Sequence, residues 1–229
     1  MAVEYAAALD LSVSGLGCMR GGKVLFRDLG FQLGRGQALI VKGANGAGKS
    51  SLLRSLAGLL PWRAGQLQWC GQVLKPTDAA YAQSLAYLGH HSGMSDTLTG
   101  LENLRFALTL VGVRWDAKRA QQVLHQLALQ DVASRPFARL SQGQRRRLGL
   151  ARVWLSERSL WLLDEPDNSL DADGSLRLAQ MLEQHLDAGG LAVVVTHRGL
   201  VLRPERTQTL TVFSAAARTL PLSQEGVLC

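Results

Sequence analysis

A chain of 229 residues, 47% of them hydrophobic, is long enough to bury a substantial core as one large or two small units, and its composition excludes a disordered polymer. It has no apolar run of about 18 residues, and residues 1–10 carry Glu4 and Asp10 where a secretory signal needs basic ones; both facts predict a chain that stays in the cytosol and does not span a membrane. The net charge of +7 is compatible with nucleic acid, an anionic membrane surface or an arginine-rich exterior alone, while Cys18, Cys70 and Cys229 are odd in number and too scattered for a zinc site, which predicts reduced, incidental thiols.

In chain order, Leu25–Leu33 alternates loosely and ends at the turn Gly34-Arg35-Gly36, so the opening predicts strands. The apolar run Ala38–Val41 predicts a buried strand, and a helical pattern begins at Ser51. Between them lie Gly43, Ala44, Asn45, Gly46, Ala47, Gly48, Lys49 and Ser50, a glycine-rich loop that opens a helix. Glycines let such a loop turn its N–H groups inward, and the helix start adds its positive dipole end, so the segment predicts a cradle for a nucleoside triphosphate. Lys49 is expected to reach the β- and γ-phosphates and Ser50 to ligate magnesium, with Ser51 in the first helical turn counted among the nucleotide-contacting positions.

Further strands are predicted at Gln66–Trp69 and Leu85–Leu88. From Thr99 to about Arg135 the periodicity is helical, with Leu124, Leu127 and Leu129 among polar neighbours, which predicts a helical insert at about residues 92–150. Strands return at Leu160–Leu163 and Leu191–Val195, separated by a helical pattern from Ser175 to Leu186. Strands alternating with helices predict an α/β fold with a mostly parallel core sheet and a helical subdomain.

Leu160–Leu163 runs directly into Asp164 and Glu165, two carboxylates delivered to the C-terminal edge of a buried strand, where ligands bind in open α/β sheets. Asp164 is expected to hold magnesium and Glu165 to act as general base toward the attacking water. Upstream, Leu140-Ser141-Gln142-Gly143-Gln144 precedes a helical stretch; Ser141 is a suitable N-cap, and the free N–H groups behind it suit an anion.

Here the sequence resembles the nucleotide-binding subunits of ABC transporters, whose signature reads Leu-Ser-Gly-Gly-Gln, with Gln142 as a departure at the third position. The resemblance covers about residues 10–200 and implies a P-loop ABC ATPase fold with an N-terminal antiparallel β region. It implies ATP and Mg2+ as ligands, and it places Ser141, Gly143 and Gln144 on the γ-phosphate bound by a second copy of the chain in an ATP-closed dimer. Asp171, in Asn168-Ser169-Leu170-Asp171, resembles the acidic member of the loop that crosses that interface, and His197, after Val193-Val194-Val195-Thr196, resembles the switch histidine that contacts the γ-phosphate.

Two positions depart from the usual pattern. Arg20 stands where an aromatic side chain commonly stacks on adenine, and a guanidinium plane can take that role. His91 stands where a glutamine links the γ-phosphate and magnesium to the helical subdomain; a metal site at His90 and His91 is a rival reading. Around these motifs, Gly89–Gly93, Leu98–Leu104, Ala151–Leu155 and Trp161–Pro166 are similar to the CcmA family, the ATP-binding subunit of the bacterial cytochrome c maturation system. That resemblance implies a single ABC ATPase domain over residues 1–229 and ATP hydrolysis tied to haem export or to release of a haem-loaded chaperone. It also implies membrane-spanning partner subunits and a peripheral position on the cytoplasmic face of the inner membrane, with no nucleic-acid partner. The alternatives are an ATPase subunit for another small substrate, or a soluble ABC ATPase acting on ribosomes or DNA.

Overall fold

The computed structural model describes residues 10–197 and 199–213, so the expectations for Glu4 and Cys229 lie outside the described residues. The chain order is β1 (Asp10–Arg20), β2 (Lys23–Gly34), β3 (Ala38–Lys42), α1 (Lys49–Leu56), β4 (Ala64–Trp69), β5 (Gln72–Leu74), α2 (Ala79–Ala82), β6 (Leu85–Leu88), α3 (Gly100–Leu110), α4 (Ala117–Gln126), α5 (Gln142–Leu155), β7 (Leu160–Asp164), α6 (Ala172–Asp187), β8 (Leu191–Val195) and β9 (Thr207–Thr211). Two sheets result. One is antiparallel, in the order β2-β1-β4-β5; the other runs β6-β7-β8-β3-β9, and its pairings are parallel.

Because helices cover one face of the parallel sheet and α1 with the antiparallel sheet covers the other, its central strands are apolar on both sides, which is why they read as continuous runs. Leu39, Val41, Leu160, Leu162, Leu191 and Val193 pack with α1 and β1, whereas Ile40, Trp161, Leu163, Ala192 and Val194 pack with α5 and α6. Truncating a fully buried member such as Leu162 to alanine is expected to cost about 2–5 kcal/mol. Within the insert, α3 and α5 each start with a capping box, Thr99 with Glu102 and Ser141 with Gln144, and Asp116 caps α4. Cys18 is buried and Cys70 exposed, both as free thiols.

The register sets the site. Val195 is level with both Val41 and Asp164, so β3, β7 and β8 end together and release the phosphate loop, the carboxylate pair and Thr196-His197 at one sheet edge. Four elements were given no bounds by the sequence: β1, β5, β9 and the four-residue helix α2. β1 buries Leu11, Val13, Leu16 and Cys18, but a bulge around Gly15, at φ 62°, breaks the two-residue alternation between Val13 and Leu16. β5 is only three residues long, and β9, Thr-Gln-Thr-Leu-Thr, is an edge strand with no apolar run to announce it. Among the described residues no helix is long and apolar enough to cross a membrane.

Candidate active site

The loop between β3 and α1 closes on its own lysine. Lys49, only 6% exposed, donates from Nζ to the carbonyls of Gly43 (2.8 Å) and Ala44 (2.9 Å). Gly48, the N-cap of α1, has φ 102° and offers no side chain to the helix, so the first N–H groups of α1, at Lys49, Ser50 and Ser51, open onto the loop. Glycine is required there twice over, since a Cβ on Gly48 would lie 3.1 Å from the Phe26 ring and 3.3 Å from Leu25, both on β2. Gly43 is equally constrained by the carbonyl of Val212 beyond β9. Gly46, at φ 78°, shapes the middle of the loop, where Asn45 is exposed and Ala47 buried.

Ser50 joins this loop to the carboxylate strand, donating from Oγ to Asp164 Oδ1 at 3.0 Å across 114 residues of sequence. Asp164 is 3% exposed, and its burial raises the carboxyl above the usual range; the Ser50 bond opposes that shift, the Glu165 charge adds to it, and Arg146 and Arg54 lower it. A hydroxyl and a desolvated carboxylate side by side are hard oxygen donors whose repulsion with Glu165 a divalent cation would relieve, so this pair fits magnesium. His91 makes no such pair. It is exposed in the loop after β6, edge-to-face with His90 at 5.3 Å between ring centroids.

Glu165 sits in a left-handed turn, at φ 52°, with its N–H donated to Val195 O at 2.8 Å. Its carboxylate is gripped on both oxygens: Asn168 Nδ2 donates to Oε2, and the half-exposed His197 places Nε2 3.3 Å from Oε1. Thr196 Oγ1 donates to Asp167 Oδ2 at 2.6 Å, which ties the turn after β7 to the end of β8. A cleft of about 520 Å³ opens over Glu165 and is lined also by His91, Gln142, Arg145, Arg146 and Asn168. Glu165 and His91 therefore share one cavity with the start of α5.

Ser141 and Gln144 spend their hydrogen bonds on the cap of α5, Oγ accepting from Gln144 N (3.2 Å) and Gln144 Oε1 accepting from Ser141 N (2.9 Å). Gly143 lets α5 approach the loop after β7, because a Cβ there would meet Ser169 O at 2.8 Å. Among the described residues none of these groups bonds to the phosphate loop of the same chain. Asp171 caps α6, accepting from Gly174 N at 2.7 Å. Arg20 is exposed opposite Lys23 at the tip of the β1–β2 hairpin, whose β2 arm packs Leu25 and Phe26 against Gly48.

Sequence reasoning singled out Asn168 only as part of a motif and gave Arg146 no role. In the folded chain Arg146 is buried, and burial lowers its pKa against the opposing charges of Asp164, Asp167 and Glu165. A guanidinium remains protonated there all the same. The available signal was helical phase: Arg146 shares a face of α5 with Gly149, Leu150 and Val153, all of them buried.

The family model described as ABC transporter matches residues 26–168. The chain is 48% identical over 187 residues to the cytochrome c biogenesis ATP-binding export protein CcmA of Cupriavidus necator, covering 82% of each chain. It is 49% identical over 207 residues to the protein of the same name from Bordetella bronchiseptica, covering 90% of this chain and 91% of that one. Among solved structures it is similar to an ATP-binding subunit of an ABC transporter, with 25% identity and a TM-score of 0.72 over 82% of this chain and 79% of that one. A putative ABC transporter ATP-binding protein from Pyrococcus furiosus shares the fold with a TM-score of 0.77 at 20% identity, over 90% of this chain and 99% of that one.

Proposed function

The chain belongs to the ABC transporter ATPases and, among them, to the CcmA proteins, and from that premise we propose that it powers haem export, or release of a haem-loaded chaperone, during cytochrome c maturation. It is an ATPase subunit whose hydrolysis is coupled to transport. The observation that carries the chemistry is the Ser50–Asp164 hydrogen bond, which sets a phosphate loop against a carboxylate edge with Glu165 and His197 beside it.

In this reading Lys49 exchanges its two loop carbonyls for β- and γ-phosphate oxygens, and the open N–H groups of α1 take the remaining charge. Ser50 and Asp164 would hold magnesium, which would supply electrostatic neutralisation of the phosphates. Glu165 accepts the proton of the attacking water, oriented by Asn168 and His197, and His197 lends a hydrogen bond to the transferred group. Ser141, Gly143 and Gln144, which do not reach their own phosphate loop, are read as closing the site of a second copy. Asp171 is assigned to the loop between the two copies, and Arg20 to the adenine end. Membrane-spanning partners receive the motion, with the chain peripheral on the cytoplasmic face of the inner membrane.

The test is affinity capture from detergent-solubilised membranes with this chain as bait. Recovery of haem-handling membrane proteins is expected; recovery of a permease for another substrate would replace the haem assignment and leave the ATPase chemistry standing.

A further inference from the structure

Arg146 spends its fork on backbone. Nη1 donates to Gly89 O at 2.8 Å, Nε to Pro166 O at 3.3 Å, and Nη2 to Asp164 O. Two of these carbonyls flank Glu165, the residue held in a left-handed conformation that favours glycine, and the third opens the Gly89–Gly93 loop that carries His91. Three acids surround the guanidinium, Asp164, Asp167 and Glu165, yet the bonds run to carbonyl oxygens, so the group fixes the path of the chain. Arg146 lies on α5 two residues after Gln144, so the helix that starts with the capping box at Ser141 is pinned through one side chain to the turn that aims the carboxylate.

We propose that Arg146 is a positioning residue for hydrolysis: it holds the kink at Glu165 and the root of the His91 loop in one frame, so that movement of α5 is felt as a change in the aim of Glu165. The proposal rests on the reading of Glu165 as general base. A planar fork with several fixed donors suits the task, whereas an ammonium cannot reach three carbonyls in these directions. Arg146 bonds to the backbone carbonyl of Asp164 and to no phosphate-binding side chain, and Arg146→Lys keeps the positive charge beside the Asp164 carboxylate while removing the fork, which separates positioning from nucleotide binding.

The experiment uses the full chain carrying Arg146→Lys and Arg146→Gln, each also combined with Glu165→Gln, and reads Mg-ATP affinity, KM and kcat. Misplacing a catalytic group by about 1 Å can cost on the order of 100-fold, so kcat is expected to fall about 10- to 100-fold, with Kd and KM within about threefold of the parent. Because Arg146 acts through Glu165, adding Arg146→Lys to Glu165→Gln is expected to lower the residual rate by less than about twofold. Three results would overturn the proposal: unchanged kcat in both single variants, an equal loss with and without Glu165, or loss of Mg-ATP binding in step with turnover. Failure of the base assignment itself is a separate result, normal turnover in Glu165→Gln alone, and retained Mg-ATP binding reports that each variant is folded.

Discussion

The proposed nucleotide site joins buried and exposed residues that are built on different principles. At the phosphate end the ligand-facing groups are backbone N–H groups and buried side chains, Lys49 at 6% and Asp164 at 3% exposed, held by strands that end level with one another. Arg20 and His91 are exposed instead, Arg20 on a hairpin tip and His91 on the loop after β6 that shares a cleft with Glu165. The first arrangement cannot change without changing the fold. The second tolerates replacement, which under the proposed assignment would let an arginine and a histidine stand at these positions while the phosphate cradle keeps its pattern.

The contrast breaks most sharply at Lys49. Each charge-assisted hydrogen bond is worth about 1.5–3 kcal/mol, so Lys49→Ala is expected to weaken Mg-ATP binding by about 100-fold or more, as read by titration calorimetry. A loss of less than about threefold would move the phosphates elsewhere. Gly48→Ala tests the backbone half of the argument. A side chain at φ 102° within 3.1 Å of Phe26 should cost about 1–3 kcal/mol of unfolding free energy and weaken nucleotide binding, whereas equal substitution at Gly22, a hairpin-tip position with open space around it, should leave binding unchanged.

The next effect is on acid stability and bounds the pH range in which the buried and exposed residues can be compared. Burial pushes the His185 imidazole from 6.5 down to about 3, with its ring stacked on Trp161 at 3.7 Å between centroids. Between those values the unfolded chain binds a proton that the folded chain refuses, so stability falls as pH falls, and above 6.5 the group contributes no slope. Between pH 7.5 and 5.5 this amounts to about 1 kcal/mol, measurable as a drop in urea midpoint that His185→Phe should remove. The smallest effects belong to the exposed residues. Arg20→Ala and His91→Gln are each expected to change kcat/KM for ATP by no more than about threefold, since exposed single contacts contribute little. A tenfold loss at either would make that exposed residue as demanding as the buried ones.

The same division governs what the sequence revealed. Gly43–Ser50, Asp164 and Glu165 were legible because a cradle of N–H groups at a strand end requires glycines, a lysine and acids at fixed spacing. The apolar runs of β3, β7 and β8 were legible because both their faces are covered. β1 hid behind its bulge and β9 behind its polar edge composition, and the parallel partner of β3 at the sheet edge was therefore missing from the reading. Arg146 was hidden for another reason: its role depends on carbonyls from Gly89, Asp164 and Pro166 converging in space, and backbone acceptors leave no residue signature. The capping boxes at Thr99 and Ser141 lie between these cases, local enough to read yet silent about what the capped helices face.

The central claim is that binding resides in the phosphate loop with Ser50 and Asp164, while Glu165 supplies the chemistry. Mg-ATP affinity and steady-state turnover measured on one preparation each of the parent chain and Glu165→Gln test it most directly. The account predicts a Kd within about threefold of the parent and a kcat reduced by about 100-fold or more, the size expected for removing a general base. Turnover in Glu165→Gln equal to that of the parent, with affinity intact, would contradict it.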